Sequence, residues 1–313
     1  MDISRRLLPL AAAFLALAPL AGAQDKGTPP DKGGTPPAAG EKAAAAPDEK
    51  DLVHEYDKAM KNKDAGARAA AVTALGDASR QLPDGGKTRY MAKALAKGLE
   101  DEDLEVQSAA VSEFSYGRDV DTTLDALGAH VENVRKEVAK RITRPDAENK
   151  SYVNRATRLF GDSCAALANY RDDRSVSTLS DIIGRMRANT ESDDSSTRLV
   201  GRIAESLLAL GTLDAVTACV RQTQTYSETD GFQEPAAKEL HRVLALFATR
   251  VGKAPPDYTQ TYYVAWNEWL EKNKDGFPKK LGKLKDPPSS PPAQDSKQTG
   301  KTDGTDAGGA APR

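Results

Sequence analysis

The stretch Leu99-Glu100-Asp101-Glu102-Asp103-Leu104-Glu105-Val106-Gln107-Ser108-Ala109-Ala110-Val111 joins a charged turn to an alanine-rich, apolar helix. Asp103 is placed to cap this helix, because its carboxylate can accept a hydrogen bond from an unpaired backbone amide of the first turn. The small alanines let a neighbouring helix approach closely, and larger apolar residues close the core. We expect the Arg or Gln one turn further on in each copy, Gln107 here and Arg68 in the copy described next, to be exposed.

The pattern also occurs 39 residues earlier, from Asp64-Ala65-Gly66-Ala67-Arg68, and its alanines and closing apolar residue match as well. In a third copy, 28 residues after the second, Arg135 takes the place of Arg68. The sequence Asp194-x-x-x-Arg198 then restarts the pattern. Internal similarity at such spacings is typical of stacked helical hairpins.

Hydrophobic periodicity and the positions of glycine and proline predict an all-α fold, with helices of mostly 11 to 18 residues joined by short turns. The predicted helices are 50–62, 65–78, 87–99, 103–115, 119–130, 132–143, 149–170, 174–188, 195–211, 213–224, 235–251 and 258–273.

Residues 99–111 resemble the inter-helix turn and second helix of a HEAT repeat. Residues 165–179 and 210–216 are similar to the shorter, lyase-type HEAT-like variant. The resemblance covers most of residues 50–251 and extends to secreted bacterial HEAT-repeat proteins. It implies an α-solenoid of about five to six HEAT-like helical hairpins.

Aromatic residues are concentrated in residues 258–277, which contain both tryptophans, Trp266 and Trp269. Tyr258, Tyr262, Trp266 and Trp269 fall on one face of a helix. One interpretation is a platform that recognises glycans or peptides. The favoured one is a C-terminal capping helix, because the terminal unit of a repeat array must seal its open end. This segment also resembles the Trp-rich helix that ends many secreted bacterial HEAT-type proteins.

The two ends of the chain differ in composition from its middle. Residues 1–23 have a basic start, an apolar run and small residues at 21–23, which predicts a secretory signal peptide. Residues 24–48 and 284–313 are rich in proline and glycine and are expected to be disordered. Residues 49–283 are the predicted repeat domain, without a membrane span, in the periplasm or outside the cell.

Composition limits the chemistry. The formal charge of -2 disfavours a nucleic-acid partner. With three histidines and two cysteines, we expect no metal and no cofactor. Cys164 and Cys219 are interpreted either as a disulfide, if their Cα atoms lie within about 7 Å, or as two small buried residues.

We therefore expect a non-catalytic scaffold or adaptor of the cell envelope. It would bind an unknown protein partner through the inner face of the repeat array. Candidate contacts are Arg68, Gln107, Arg135, Arg198 and Arg202. The alternative is an envelope carbohydrate- or peptide-binding module that uses the aromatic cluster at Trp266 and Trp269.

Overall fold

The computed structural model describes residues 48–81, 87–142, 146–186, 194–228, 234–259 and 261–282. All of them belong to the second of the two units into which the chain divides, Pro47–Arg313. The predicted signal peptide at 1–23, nearly all of the 24–48 linker and the 284–313 tail lie outside the described residues.

The described residues form helices and contain no strand, which confirms the all-α prediction. The helices are α1 (Glu49–Ala59), α2 (Ala65–Gln81), α3 (Lys87–Leu99), α4 (Leu104–Phe114), α5 (Val120–Ile142), α6 (Ala147–Asn169), α7 (Asp173–Arg185), α8 (Asp194–Leu210), α9 (Leu213–Glu228), α10 (Glu234–Arg250) and α11 (Tyr262–Asn273), followed by a short 3-10 turn at Lys274–Gly276. None of these helices combines the length and apolar composition needed to cross a bilayer.

One helix boundary was predicted wrongly. The sequence suggested separate helices at 119–130 and 132–143, but α5 runs unbroken from Val120 to Ile142. No glycine or proline interrupts the junction, and both His130 and Val131 are buried against neighbouring helices. A change in the apolar pattern is therefore accommodated within one long helix.

The helices pack in two layers. Each even-numbered helix from α2 to α10 contacts the next even-numbered helix, and each odd-numbered helix from α1 to α11 contacts the next odd-numbered one. From α1 to α10, helices adjacent in the chain pack across the layers. This connectivity is consistent with a helical repeat.

Aspartates begin several helices as the sequence predicted. The Asp103 carboxylate accepts a hydrogen bond from the Glu105 amide at 2.8 Å. Asp172 accepts one from the Arg174 amide, also at 2.8 Å. Each carboxylate satisfies a backbone donor that has no partner within its own helix.

A left-handed residue follows each of the last three even-numbered helices: Arg171 after α6 (φ 45°), Gly211 after α8 (φ 67°) and Gly252 after α10 (φ 73°). This conformation ends a helix by turning the chain sharply, and glycine adopts it without steric cost. The recurrence shows that these three helices, α6, α8 and α10, end in a similar way.

The segment that follows α11 runs back to the starts of α7 and α9, which come directly after the turns that end α6 and α8. The Leu213 amide, at the start of α9, donates to the Pro278 carbonyl at 2.9 Å. The Asp173 amide, at the start of α7, donates to the Gly282 carbonyl at 3.2 Å, and the Asp173 carboxylate accepts from the Leu281 amide at 2.8 Å. Residues 277–282 therefore act as a strap that ties α11 to two earlier turns.

His130 joins the two odd-numbered helices α3 and α5. Its ring is only 3% exposed, and Nδ1 lies 3.1 Å from the Leu99 carbonyl oxygen. A carbonyl can only accept, so neutral His130 carries its proton on Nδ1. Burial lowers the pKa of His130 to about 4.

Replacing Gly211 with alanine is expected to destabilise the protein by about 1–2 kcal/mol, because a Cβ disfavours the left-handed conformation. The measurement is the free energy of unfolding from urea titrations followed by circular dichroism. Gly184→Ala is the matched control, since Gly184 is exposed in α7 and a Cβ there meets nothing within 4 Å. The control should be neutral or stabilising, and an equal loss in both variants would contradict the prediction.

Acid should destabilise the protein through His130. Because the folded-state pKa of His130 lies below the ordinary value of 6.5, stability is complete above that value and falls as the pH drops from 6.5 towards 4. The full loss of stability corresponds to a decrease of about 3 kcal/mol in the free energy of unfolding. His130→Asn can retain the donor to Leu99 but cannot titrate, so its urea midpoint should fall less between pH 7.5 and pH 4.5. His54→Asn, at an exposed site on α1, should behave like the wild type.

Candidate binding surface

Arg68 is buried, although the sequence pattern predicted an exposed side chain. It is 6% exposed, and its Nε and Nη2 atoms donate to the two carboxylate oxygens of Asp101, each at 2.8 Å. Its Nη1 donates to the carbonyl oxygens of Asn62 at 2.9 Å and Lys63 at 3.3 Å. The guanidinium therefore joins the α1–α2 turn to the α3–α4 turn and is not open to a partner.

Gln107 occupies the matching position in the next copy and is half-buried. Its Nε2 donates to the Asp101 carbonyl oxygen at 2.5 Å, within the same turn. Burial by itself raises the pKa of Asp101, but the hydrogen bonds from Arg68 and from the Asp103 amide hold it below its ordinary value. Arg68 and Gln107 thus serve one structural turn.

Arg135 lies on α5, in the odd-numbered layer, whereas the other predicted contacts lie on even-numbered helices. Its Nε and Nη2 atoms each donate to a different carboxylate oxygen of Glu132 at 2.9 Å. These bonds, chiefly, lower the pKa of Glu132. Both layers bury an apolar stripe, so the apolar pattern that aligned Arg135 with Arg68 occurs in both. The five predicted contact residues therefore do not form one row.

Arg198 and Arg202 come together in a groove across the even-numbered layer. Both are exposed on α8, one turn apart. The groove has a volume of about 260 Å³ and extends from α6 over α8 to α10. Arg158 on α6 and Arg242 on α10 complete a set of four arginines that line it. Of the predicted contacts, these two are the ones that the structure places in a shared, open site.

Two glutamates lie among the arginines and connect α8 with α10. Glu239 accepts hydrogen bonds from Arg242 Nε and Nη2, both at 2.7 Å. Glu205 accepts from Arg242 Nη2 at 3.2 Å and lies 3.5 Å from Arg202 Nη1. Arg242 is thus held by two carboxylates, whereas Arg202 has one long ion pair among these contacts.

Thr157 and two glycines lie beneath the charged side chains. Thr157 is 4% exposed, and its Oγ1 has no hydrogen-bond partner among the described residues. The Arg202 side chain crosses Gly161 of α6, where a Cβ would lie 3.1 Å from its Cγ and Cδ. Glu239 crosses Gly201 of α8 more closely still. The glycines let long charged side chains from the next helix lie flat against the layer.

Sequence reasoning missed Arg158, Thr157 and the two glycines, although a signal for them exists. Thr157-Arg158-Leu159-Phe160-Gly161 on α6 and Thr197-Arg198-Leu199-Val200-Gly201 on α8 share threonine, arginine, leucine and glycine at the same positions. A comparison restricted to copies of the Asp64–Arg68 pattern could not find this second repeat, which lies within the helices and not at their starts.

The aromatic cluster of α11 is packed against α9 and α10. Trp266 is fully buried, and its Nε1 donates to His241 Nδ1 at 3.0 Å. Trp269 is 8% exposed, and its Nε1 donates to the Ala254 carbonyl at 2.9 Å. The Tyr262 hydroxyl donates to the Thr223 carbonyl at 3.0 Å. Buried rings with satisfied donors support the capping interpretation.

Cys164 and Cys219 are free thiols, buried on α6 and α9. Burial raises the pKa of both thiols, which keeps them protonated and unreactive at neutral pH. Within the described ranges, no group of three or more histidine, cysteine, aspartate or glutamate side chains could hold a metal ion.

Comparisons with known proteins do not assign a family. Neither a protein-family model nor a curated protein matches the chain in sequence. Among solved structures, two engineered proteins of the Northeast Structural Genomics Consortium are similar, each at 18% identity and a TM-score of 0.31. The alignments cover 72% and 69% of this chain and 98% and 51% of the engineered chains, respectively.

Trp266→Phe is expected to lower the free energy of unfolding by about 2 kcal/mol, because it removes the donor to His241 and leaves a small void. Val264→Ala is the control on the same helix, at a side chain that is 41% exposed. Urea unfolding followed by circular dichroism gives both values. An unchanged Trp266→Phe midpoint, together with loss of binding to cell-wall material, would instead favour the aromatic platform.

Proposed function

We propose that this protein is a non-catalytic scaffold that binds a partner protein through the exposed face of its even-numbered helices. In this proposal the two layers are a HEAT-like α-solenoid of about five to six hairpins, closed by α11. The packing of each helix on the helix two places along supports such an array. The repeated turn at Arg171, Gly211 and Gly252 supports it as well.

The observation that carries the proposal is the groove containing Arg158, Arg198, Arg202 and Arg242. In a repeat array, equivalent side chains of successive helices recur at regular spacing, so they can contact an extended partner at several points. Arg68 is buried and paired with Asp101, whereas the α6–α8–α10 face brings four arginines to one open groove, and we propose this face as the contact surface.

We further propose that the scaffold is exported and that its partner is a component of the cell envelope. The basis is the sequence of residues 1–23, with its basic start, apolar run and small residues before Gln24. The alternative of glycan or peptide recognition by the aromatic cluster gains no support from the contacts of Trp266 and Trp269, since both indoles are buried.

Charge reversal tests the proposed surface. The double variant Arg198→Glu/Arg202→Glu should lose its main co-purifying protein when it is isolated from its own host and analysed by mass spectrometry. Arg221→Glu, at an exposed position on α9 in the odd-numbered layer, is the matched control. We expect the control to retain the partner at the wild-type level.

Both variants must first match the wild type in circular dichroism and unfolding midpoint. Retention of the partner by the double variant, or its loss from both variants, would place the binding surface elsewhere.

A further inference from the structure

We infer that the groove across α6, α8 and α10 binds an extended acidic peptide whose carboxylate side chains are spaced along the chain. This inference rests on the proposed partner-binding function and specifies the chemistry of the partner at that site. The ligand class follows from the arginines, from the glutamates between them and from the distance between helices.

Arg158 and Arg202 supply the positive charge. Arg202 has the 3.5 Å ion pair with Glu205, and both Arg158 and Arg202 interact electrostatically with Asp162 of α6, where their charges act to lower the pKa of its carboxyl. A guanidinium binds a carboxylate through two parallel hydrogen bonds, which makes arginine suited to carboxylate recognition. Because each arginine comes from a different helix, two carboxylates of one ligand can be bound side by side.

Glu205 and Glu239 argue against a compact, highly charged anion. Both carboxylates line the same groove as the arginines. A phosphate placed between the arginines would lie close to these negative groups, and such like-charge contacts are a means of rejecting wrong ligands. A peptide can avoid this cost by placing donors, such as backbone amides or serine hydroxyls, opposite the glutamates.

The helix spacing sets the spacing of the acidic residues. Packed helices lie about 8–10 Å apart, and a chain in the extended polyproline II conformation advances about 3.1 Å per residue with three residues per turn, so residues i and i+3 lie on the same side about 9 Å apart. A peptide that crosses the layer therefore brings every third residue to the next helix. Acidic residues at that interval match the positions of Arg158 on α6 and Arg202 on α8.

Thr157 provides a second, independent sign of a ligand. Its side chain is more than nine-tenths buried at the groove, and its hydroxyl has no partner among the described residues. A buried hydroxyl without a hydrogen bond is costly for the folded state. Because the Oγ1 atom is itself buried, a ligand reaches this hydroxyl only if the groups that cover it move, and the hydrogen bond it then makes would remove the cost.

The test uses the full-length protein and fluorescein-labelled dodecapeptides in fluorescence anisotropy titrations at 50 mM NaCl. The spaced probe is (Glu-Gly-Ser)4, and the clustered probe contains the same residues with its four glutamates adjacent. We expect the spaced probe to bind at least fivefold more tightly. Raising NaCl to 500 mM should weaken it at least tenfold, because exposed ion pairs are screened.

Variants locate the binding. Arg158→Gln and Arg202→Gln should each weaken the spaced probe about tenfold, whereas Arg221→Gln, on the odd-numbered layer, should change its affinity less than twofold. Thr157→Val should weaken the probe about threefold while its melting temperature stays equal or rises. A merely structural role for Thr157 would not produce this opposite response.

Equal affinity for the two probes, equal affinity of Arg158→Gln and wild type, or displacement of the spaced probe by 1 mM inorganic phosphate would overturn the inference. The proposed partner-binding function can fail separately. If Arg198→Glu/Arg202→Glu loses its co-purifying protein but neither probe binds the wild type, the scaffold function stands and the acidic-peptide inference falls.

Discussion

Packing between helices two places apart is the interaction on which the rest of this structure depends. Around Gly98 of α3, a Cβ would lie 3.0 Å from Val72 of α2 and 3.0 Å from Ala110 of α4, so three helices meet at a point where only a hydrogen fits. Each hairpin leaves apolar surface that the next hairpin covers. In the repeat array that we propose, stability would be a sum of such neighbouring contacts, and α11 with its strap would close the end.

Buried charges align the turns that this packing brings together. Asp101 is held by Arg68 across two turns, and Asp172, fully buried, is held by Arg174, which also reaches Asp121 at 2.5 Å. A buried carboxylate is stable only when it is paired and hydrogen-bonded, so removing one partner is more costly than the pair itself is worth. These contacts therefore favour one register between successive turns over others.

The sequence predicted the helices and caps well, because helix-capping aspartates and apolar periodicity act locally. It failed where the outcome depends on a distant residue. Nothing near Arg68 in the sequence indicates that Asp101 will bury its guanidinium, and the same spacing places Arg198 on an exposed stripe of α8. The unbroken α5 is a similar case, since packing around Val131 overrides a local change of pattern.

The contrast between Arg68 and the arginines of the groove explains why we propose that the partner binds across α6, α8 and α10. At the α1–α4 end, the repeated position is occupied by Arg68 and Gln107, and both side chains are used to fix a turn. Arg158 lies in the middle of α6, away from both ends of the helix, so turn formation does not require it. Arg158 is exposed there, and the Arg202 side chain lies flat over Gly161, which is why we propose this face as the contact surface.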